Sequence, residues 1–148
     1  MIKSLLLGMF ICTGTFSAFA QLPELDLENT DHEWVNLEEL KGEKLTVVDF
    51  WALWCKPCIN SMPTLNKIFE ELKDQGVQFI GVNIDGPRNS AKVKPFIRTI
   101  GIEYPIVYDP DQELVNEFNV QAFPTLIVFW VKVSITVSIG YFDFKKCD

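Results

Sequence analysis

Apolar positions fall into two kinds of run along this chain. From Lys44 to Trp51 they are continuous apart from Thr46 and Asp49, as in a central strand buried on both faces. Phe79 to Ile84 reads as a second buried strand, Tyr104 to Tyr108 as a short one and Thr125 to Val131 as a third core strand. Between the first two, Cys58, Met62, Leu65, Phe69 and Leu72 recur at helical spacing beside Ile59 and Ile68, with Glu70, Glu71, Lys73 and Asp74 polar and Gly76 as the stop. Ala91 to Ile100 predicts a helix ending near Gly101. Asp109-Pro110-Asp111 opens another, through Phe118, with Asp111 as its cap. Upstream, Leu25-Asp26-Leu27 and Trp34-Val35-Asn36-Leu37 flank the polar Asn29-Thr30-Asp31-His32, which predicts a hairpin followed by a turn or brief helix ending at Gly42. No repeat or low-complexity linker interrupts the pattern. Strands alternating with helices imply an α/β sandwich with an antiparallel part.

The two ends stand apart. In Met1 to Ala20 the only charge is Lys3, Leu5 to Cys12 is largely apolar, and Ala18-Phe19-Ala20 has the small-x-small form of a leader cleavage site. The expectation is a signal peptide over 1–20 and a mature chain, 21–148, in the periplasm. The alternative is an uncleaved anchor tethered to the membrane, which the shortness of the apolar run disfavours. No convincing lipobox precedes Cys12. At the other end, Phe129 to Phe144 is almost wholly strand-like, with Gly140 its single turn former. The segment 131–148 reads as an atypical tail, natural or truncated. Val131 to Phe142 carries one charge and no proline, the signature of an aggregation-prone strand.

A formal net charge of −7, which becomes −8 once Lys3 leaves with the leader, argues against nucleic acid or an anionic membrane surface as partner. Of the four cysteines, Cys12 lies in the leader and Cys147 in the tail; the remaining two form Trp54-Cys55-Lys56-Pro57-Cys58, between the first buried strand and the amphipathic helix. One close pair in an exported chain reads as a redox couple rather than a disulfide scaffold. The unpaired N–H groups of the helix start favour a Cys55 thiolate, the species that attacks disulfides. Cys58, a turn further in, is the resolving cysteine. Lys56 adds positive charge, and Pro57 sits in the first turn, where a missing N–H is tolerated. A metal centre needs more ligands than two thiolates, and no metal or other cofactor is expected. His32, the single histidine, lies in the turn-like polar stretch and reads as a surface residue. Trp51 reads as core, and Trp54 as a flat apolar contact shielding Cys55.

Val48-Asp49-Phe50-Trp51-Ala52-Leu53-Trp54-Cys55-Lys56-Pro57-Cys58 resembles the active-site segment of the thioredoxin superfamily. Pro63, eight positions after Cys55, stands where thioredoxins kink that helix. Val77 to Asp85 is similar to the next central strand, Gly86 to Asn119 to the helix, strand and helix inserted in TlpA/ResA-type (AhpC/TSA-redoxin-like) proteins, and Ala122-Phe123-Pro124-Thr125 to the cis-proline loop. The resemblance, from about Leu22 to Trp130, implies a thioredoxin-like three-layer sandwich with a mixed central sheet, an N-terminal hairpin and an inserted helix–strand segment. Relatives continue into a hairpin and a final helix, for which this chain has no room, so the resemblance implies an uncovered sheet face.

The resemblance also implies roles. A carboxylate inside an apolar strand is costly without a partner or a task. Asp49, six positions before Cys55, matches the buried thioredoxin aspartate that exchanges a proton with the second cysteine, and desolvation is expected to raise its pKa. Relatives of TlpA/ResA type often carry asparagine there and a glutamate after the next strand. In this chain Gly86 takes that glutamate's place, with Asp85 beside it as a weaker candidate and otherwise a helix cap or loop acid. Pro124 is expected to follow a cis bond, and the Phe123 backbone to pair with extended substrate. The implied activity is a thiol–disulfide oxidoreductase that reduces protein disulfides, for example in cytochrome c maturation, and is recharged by a membrane or periplasmic thiol donor. A thiol oxidase or isomerase, a thiol peroxidase, a copper-handling domain and an inactive fragment are the alternatives.

Overall fold

The computed structural model describes residues 22–130. The expected leader with Cys12, and the tail with Gly140 and Cys147, lie outside the described residues.

The described chain opens with a two-stranded antiparallel hairpin, β1 (Asp26–Glu28) and β2 (Trp34–Asn36). Its turn contains His32 in the left-handed region, exposed and paired with Glu28. Turns rather than a helix lead from β2 past Gly42 to β3 (Leu45–Trp51). The CxxC loop follows, then α1 (Lys56–Leu72), a 3-10 turn (Lys73–Gln75), β4 (Val77–Asn83), α2 (Pro87–Ile100), β5 (Ile106–Tyr108), α3 (Glu113–Glu117) and β6 (Thr125–Trp130). The second sheet has the order β5-β4-β3-β6, with β5, β4 and β3 parallel and β6 antiparallel to β3. A bridge from Asn29 to Val107 ties the hairpin to its β5 edge.

Register divides this sheet into two faces. Val47 pairs with Phe79, Asp49 with Gly81 and Trp51 with Asn83, so these side chains share one face. That face lies under α1 and α2: Phe69 of α1 packs on Phe79 with ring centroids 6.0 Å apart, and Phe96 of α2 on Trp51 at 6.1 Å. On the other face Phe118, after α3, meets Phe50 and Phe129 at 6.2 and 5.4 Å. Helices on both faces of a mixed sheet make the three-layer thioredoxin-like sandwich. Phe50, Trp51, Met62, Ile80, Leu114 and Ile127 form its fully buried centre. Among the described residues no helix is long and apolar enough to cross a membrane.

Of the boundaries that differ from the sequence expectation, three bear on the site or its support. Helix α2 begins at Pro87, four residues before Ala91, because a proline in the first turn sacrifices no helical hydrogen bond. The cap near α3 is Asp109 and not Asp111: its carboxylate accepts from the N–H groups of Glu113, Leu114 and Val115 at 2.7, 3.1 and 3.2 Å. Strand β5 starts only at Ile106, which leaves Tyr104 in the preceding loop.

Gly81 sits where the core leaves little room for a side chain. A Cβ there would lie 2.4 Å from Ile106 Cδ1, 3.1 Å from Tyr104 Cε2 and 3.2 Å from Trp51 Nε1. Gly81→Ala is therefore expected to destabilise the domain by about 1–3 kcal/mol through overpacking, read as a lower urea midpoint with the slope unchanged.

Candidate active site

Strand β3 delivers the chain to Ala52, and α1 starts four residues later. The last of the three residues between, Cys55, is the N-cap of α1, and its sulfur accepts the Cys58 N–H at 3.3 Å. It thus occupies the place that serine or aspartate takes in ordinary caps, facing the positive end of a 17-residue helix. Cys55 and Cys58 form a disulfide with Cα atoms 5.3 Å apart. Cys55 is 4% exposed and Cys58 is fully enclosed, with its sulfur 4.0 Å from the carbonyl oxygen of Phe50. The order of accessibility is the expected one, although Cys55 itself is nearly covered. Lys56 and Pro57 are both exposed in the first turn of α1, and Pro63 lies inside the helix.

Two loops meet at the pair. Trp54 is 62% exposed and stands edge-on to Phe123, ring centroids 5.8 Å apart. The Phe123–Pro124 bond is cis, and Phe123 and Pro124 are half-buried. The Thr125 hydroxyl donates to the Ala122 carbonyl at 2.6 Å, closing this loop where β6 begins. Trp51 is wholly core.

Asp49 is 1% exposed at the centre of β3. The Tyr104 hydroxyl donates to its Oδ2 at 3.4 Å; its Oδ1 has no partner among the described residues, and neither has the indole Nε1 of Trp51. Burial pushes the Asp49 carboxyl up to about 7, against the smaller opposing pull of the Tyr104 hydrogen bond. Burial first, and then the Asp49 charge, hold the Tyr104 phenol well above its ordinary range, so it remains a donor.

Asp85 is buried and is no cap of α2: Gly86 holds that position without a side-chain bond. Its Oδ2 instead accepts from the Leu53 N–H at 2.7 Å and from Asn83 Nδ2 at 2.9 Å. The carboxylate at the end of β4 therefore fixes the loop two residues before Cys55. Sequence reading missed Asn83 and Tyr104. Asn83 carried a signal, being amide-bearing in an apolar strand; Tyr104 carried none, because its partner lies 55 positions away.

The sequence pattern of the AhpC/TSA family matches residues 19–137. Among relatives, the chain is 30% identical over 118 residues to the thiol-disulfide oxidoreductase ResA of Bacillus subtilis (strain 168), covering 80% of this chain and 64% of the relative. It is 36% identical over 100 residues to ResA of Geobacillus kaustophilus (strain HTA426), covering 68% and 54%. The chain thus spans between half and two thirds of the length of these curated relatives. Its fold superimposes with a TM-score of 0.70 and 25% identity on the crystal structure of a thiol:disulfide interchange protein of the thioredoxin family from Chlorobium tepidum TLS, covering 82% and 85% of the two chains. Family pattern, relatives and fold agree with a CxxC at a helix start: the chain belongs to the AhpC/TSA family and is of the TlpA/ResA type within the thioredoxin superfamily.

Proposed function

We propose that the chain is an exported thiol–disulfide oxidoreductase that reduces protein disulfides in the periplasm. The observation that carries this reading is Cys55 as N-cap of α1, disulfide-bonded to Cys58. In the reduced protein the Cys55 thiolate attacks one sulfur of a substrate disulfide. A mixed disulfide forms and the first substrate thiolate leaves. Cys58 then loses its proton to the Asp49 carboxylate and attacks Cys55 Sγ. The mixed bond breaks, the second substrate thiolate leaves, and the substrate has gained the two electrons of the dithiol. A thiol donor in or near the membrane restores the couple, so no metal or organic cofactor is needed. Trp54, Phe123 and Pro124 offer an apolar platform and backbone groups to an extended substrate segment. Lys56 and Pro57 tune the couple.

Reduction as the net direction is tested by glutathione redox titration, where a low potential marks a reductant and a high one an oxidase. Alkylation of Cys55 across a pH series tests the first step. A Cys55 titrating like a free thiol overturns the reading. Cys55→Ser is expected to cut insulin reduction by about two orders of magnitude or more, and Cys58→Ser to accumulate the mixed disulfide, visible as a mass adduct.

The carboxyl of Asp49 adds a pH signature. Its folded pKa of about 7 lies above the ordinary 3.8. Between those values the folded state keeps a proton that the unfolded state has released, so Asp49 lowers stability as pH rises from about 4 to 7, and the loss levels off above that. The full effect is on the order of 4 kcal/mol. Asp49→Asn is expected to flatten this fall in urea melts of the oxidised protein, and to slow disulfide exchange near neutral pH. Unchanged exchange rates from about pH 6 to 9 would remove Asp49 from the proton role.

A further inference from the structure

We propose that Tyr104 is a positioning residue for this exchange: its hydroxyl holds Oδ2 of Asp49, leaving Oδ1 for the Cys58 proton, and lowers the pH at which that oxygen becomes an acceptor. The inference rests on the reading of Asp49 as proton acceptor and names a residue that regulates it.

Geometry fixes the phenol. Tyr104 is 2% exposed, and its ring is held by Phe69 and Phe79, each with centroids 6.0 Å away. Gly81, the register partner of Asp49, lets the ring come close: a Cβ there would stand 3.1 Å from Tyr104 Cε2. With Oδ2 engaged by the hydroxyl, Oδ1 is the carboxylate atom without a partner among the described residues. The Cys58 sulfur lies against the carbonyl of Phe50, the next residue along β3.

Among the described residues the surroundings hold nothing else that would dominate the titration. Beside Asp49, β4 presents Gly81 and β6 presents Leu126 in register. Helix α1 buries Cys58, Met62, Leu65 and Phe69, and α2 buries Val93 and Ile97. Among these groups Tyr104 and, in the reduced protein, Cys58 are the ionisable ones. A hydroxyl that donates to a carboxylate favours its charged form, so Tyr104 opposes the burial that keeps Asp49 protonated.

The test uses the full reduced chain carrying Cys12→Ser and Cys147→Ser, so that only the couple reacts, mixed rapidly with dithiobis-nitrobenzoate, which releases one coloured thiol when Cys55 attacks and a second when Cys58 resolves the adduct. Tyr104→Phe keeps the ring. It is expected to leave the first phase unchanged and to move the pH limb of the second upward by about half to one unit, a slowing of about 2- to 5-fold at neutral pH. Asp49→Asn is expected to abolish that limb, and adding Tyr104→Phe to it to change nothing further. If Asp49→Asn abolishes the limb while folded Tyr104→Phe leaves it in place, the Tyr104 inference is overturned. If Asp49→Asn leaves the limb intact, the acceptor reading beneath it falls instead. In the unmutated protein, carbon NMR of the Tyr104 ζ-carbon is expected to follow the Asp49 carboxyl with one midpoint; a resonance that ignores that titration overturns the inference without any variant.

Discussion

Parallel pairing of β3 with β4 is the constraint on which the site depends. Seven consecutive register pairs, from Leu45 with Val77 to Trp51 with Asn83, make both strands finish at one edge of the sheet. A parallel connection requires a crossover, and α1 is that crossover, so its N-terminus necessarily rises from the edge where β3 ends. The cysteine pair therefore stands at the strand ends, where ligands and substrates meet open α/β sheets. Strand β6, running the other way along β3, brings the Pro124 loop to the same edge from the opposite direction.

The same pairing decides how polar groups survive inside. Trp51 O accepts the Ile84 N–H at 3.0 Å, which extends the β3–β4 ladder just past Asn83. Beyond it Asn83 and Asp85 bond each other and Asp85 accepts the Leu53 N–H, so the loop leaving β3 is anchored on the strand beside it. Asn83 also accepts, through its carbonyl, the N–H of Asp109 at 2.8 Å, and Asp109 in turn holds the start of α3. A chain of short hydrogen bonds thus runs from the cysteine loop to the opposite helical layer. Asp49 lies deeper and receives far less: among the described residues it has one long hydrogen bond, no charge to balance it and a glycine opposite. Its protonation is consequently set by burial, which is the arrangement that brings a carboxyl near neutrality.

Much of this was legible in the sequence because local and global preferences agree. The apolar run ending at Trp51, interrupted by Thr46 and Asp49 alone, reads as a buried strand, and the Cys58, Met62, Leu65, Phe69 spacing as a helix packed along one stripe. Cys55, Cys58, Asp49, Trp54 and the Phe123–Pro124 loop stood out for the same reason: each breaks or punctuates a pattern otherwise satisfied. Elsewhere tertiary context prevailed. Asp109 and Asp111 are equivalent on paper, but only Asp109, tied by its own N–H to Asn83, has its carboxylate under the helix start. Asp85 looked like a loop acid because burial by a distant segment leaves no local trace. Tyr104 looked like the first residue of a strand, and its hydroxyl could be assigned only once α1, β4 and the loop before β5 enclosed it.

The sulfur of Cys55 is also what closes the first turn of α1. Oxygen caps do that task in most helices but cannot trade covalent partners. Sulfur keeps lone pairs as a thiolate, in a mixed disulfide and in the internal bond, so it can go on accepting an amide hydrogen through a whole turnover. The element of structure that begins the helix is then the same atom that carries the electrons, and the scaffold need not fray each time its ligand changes hands.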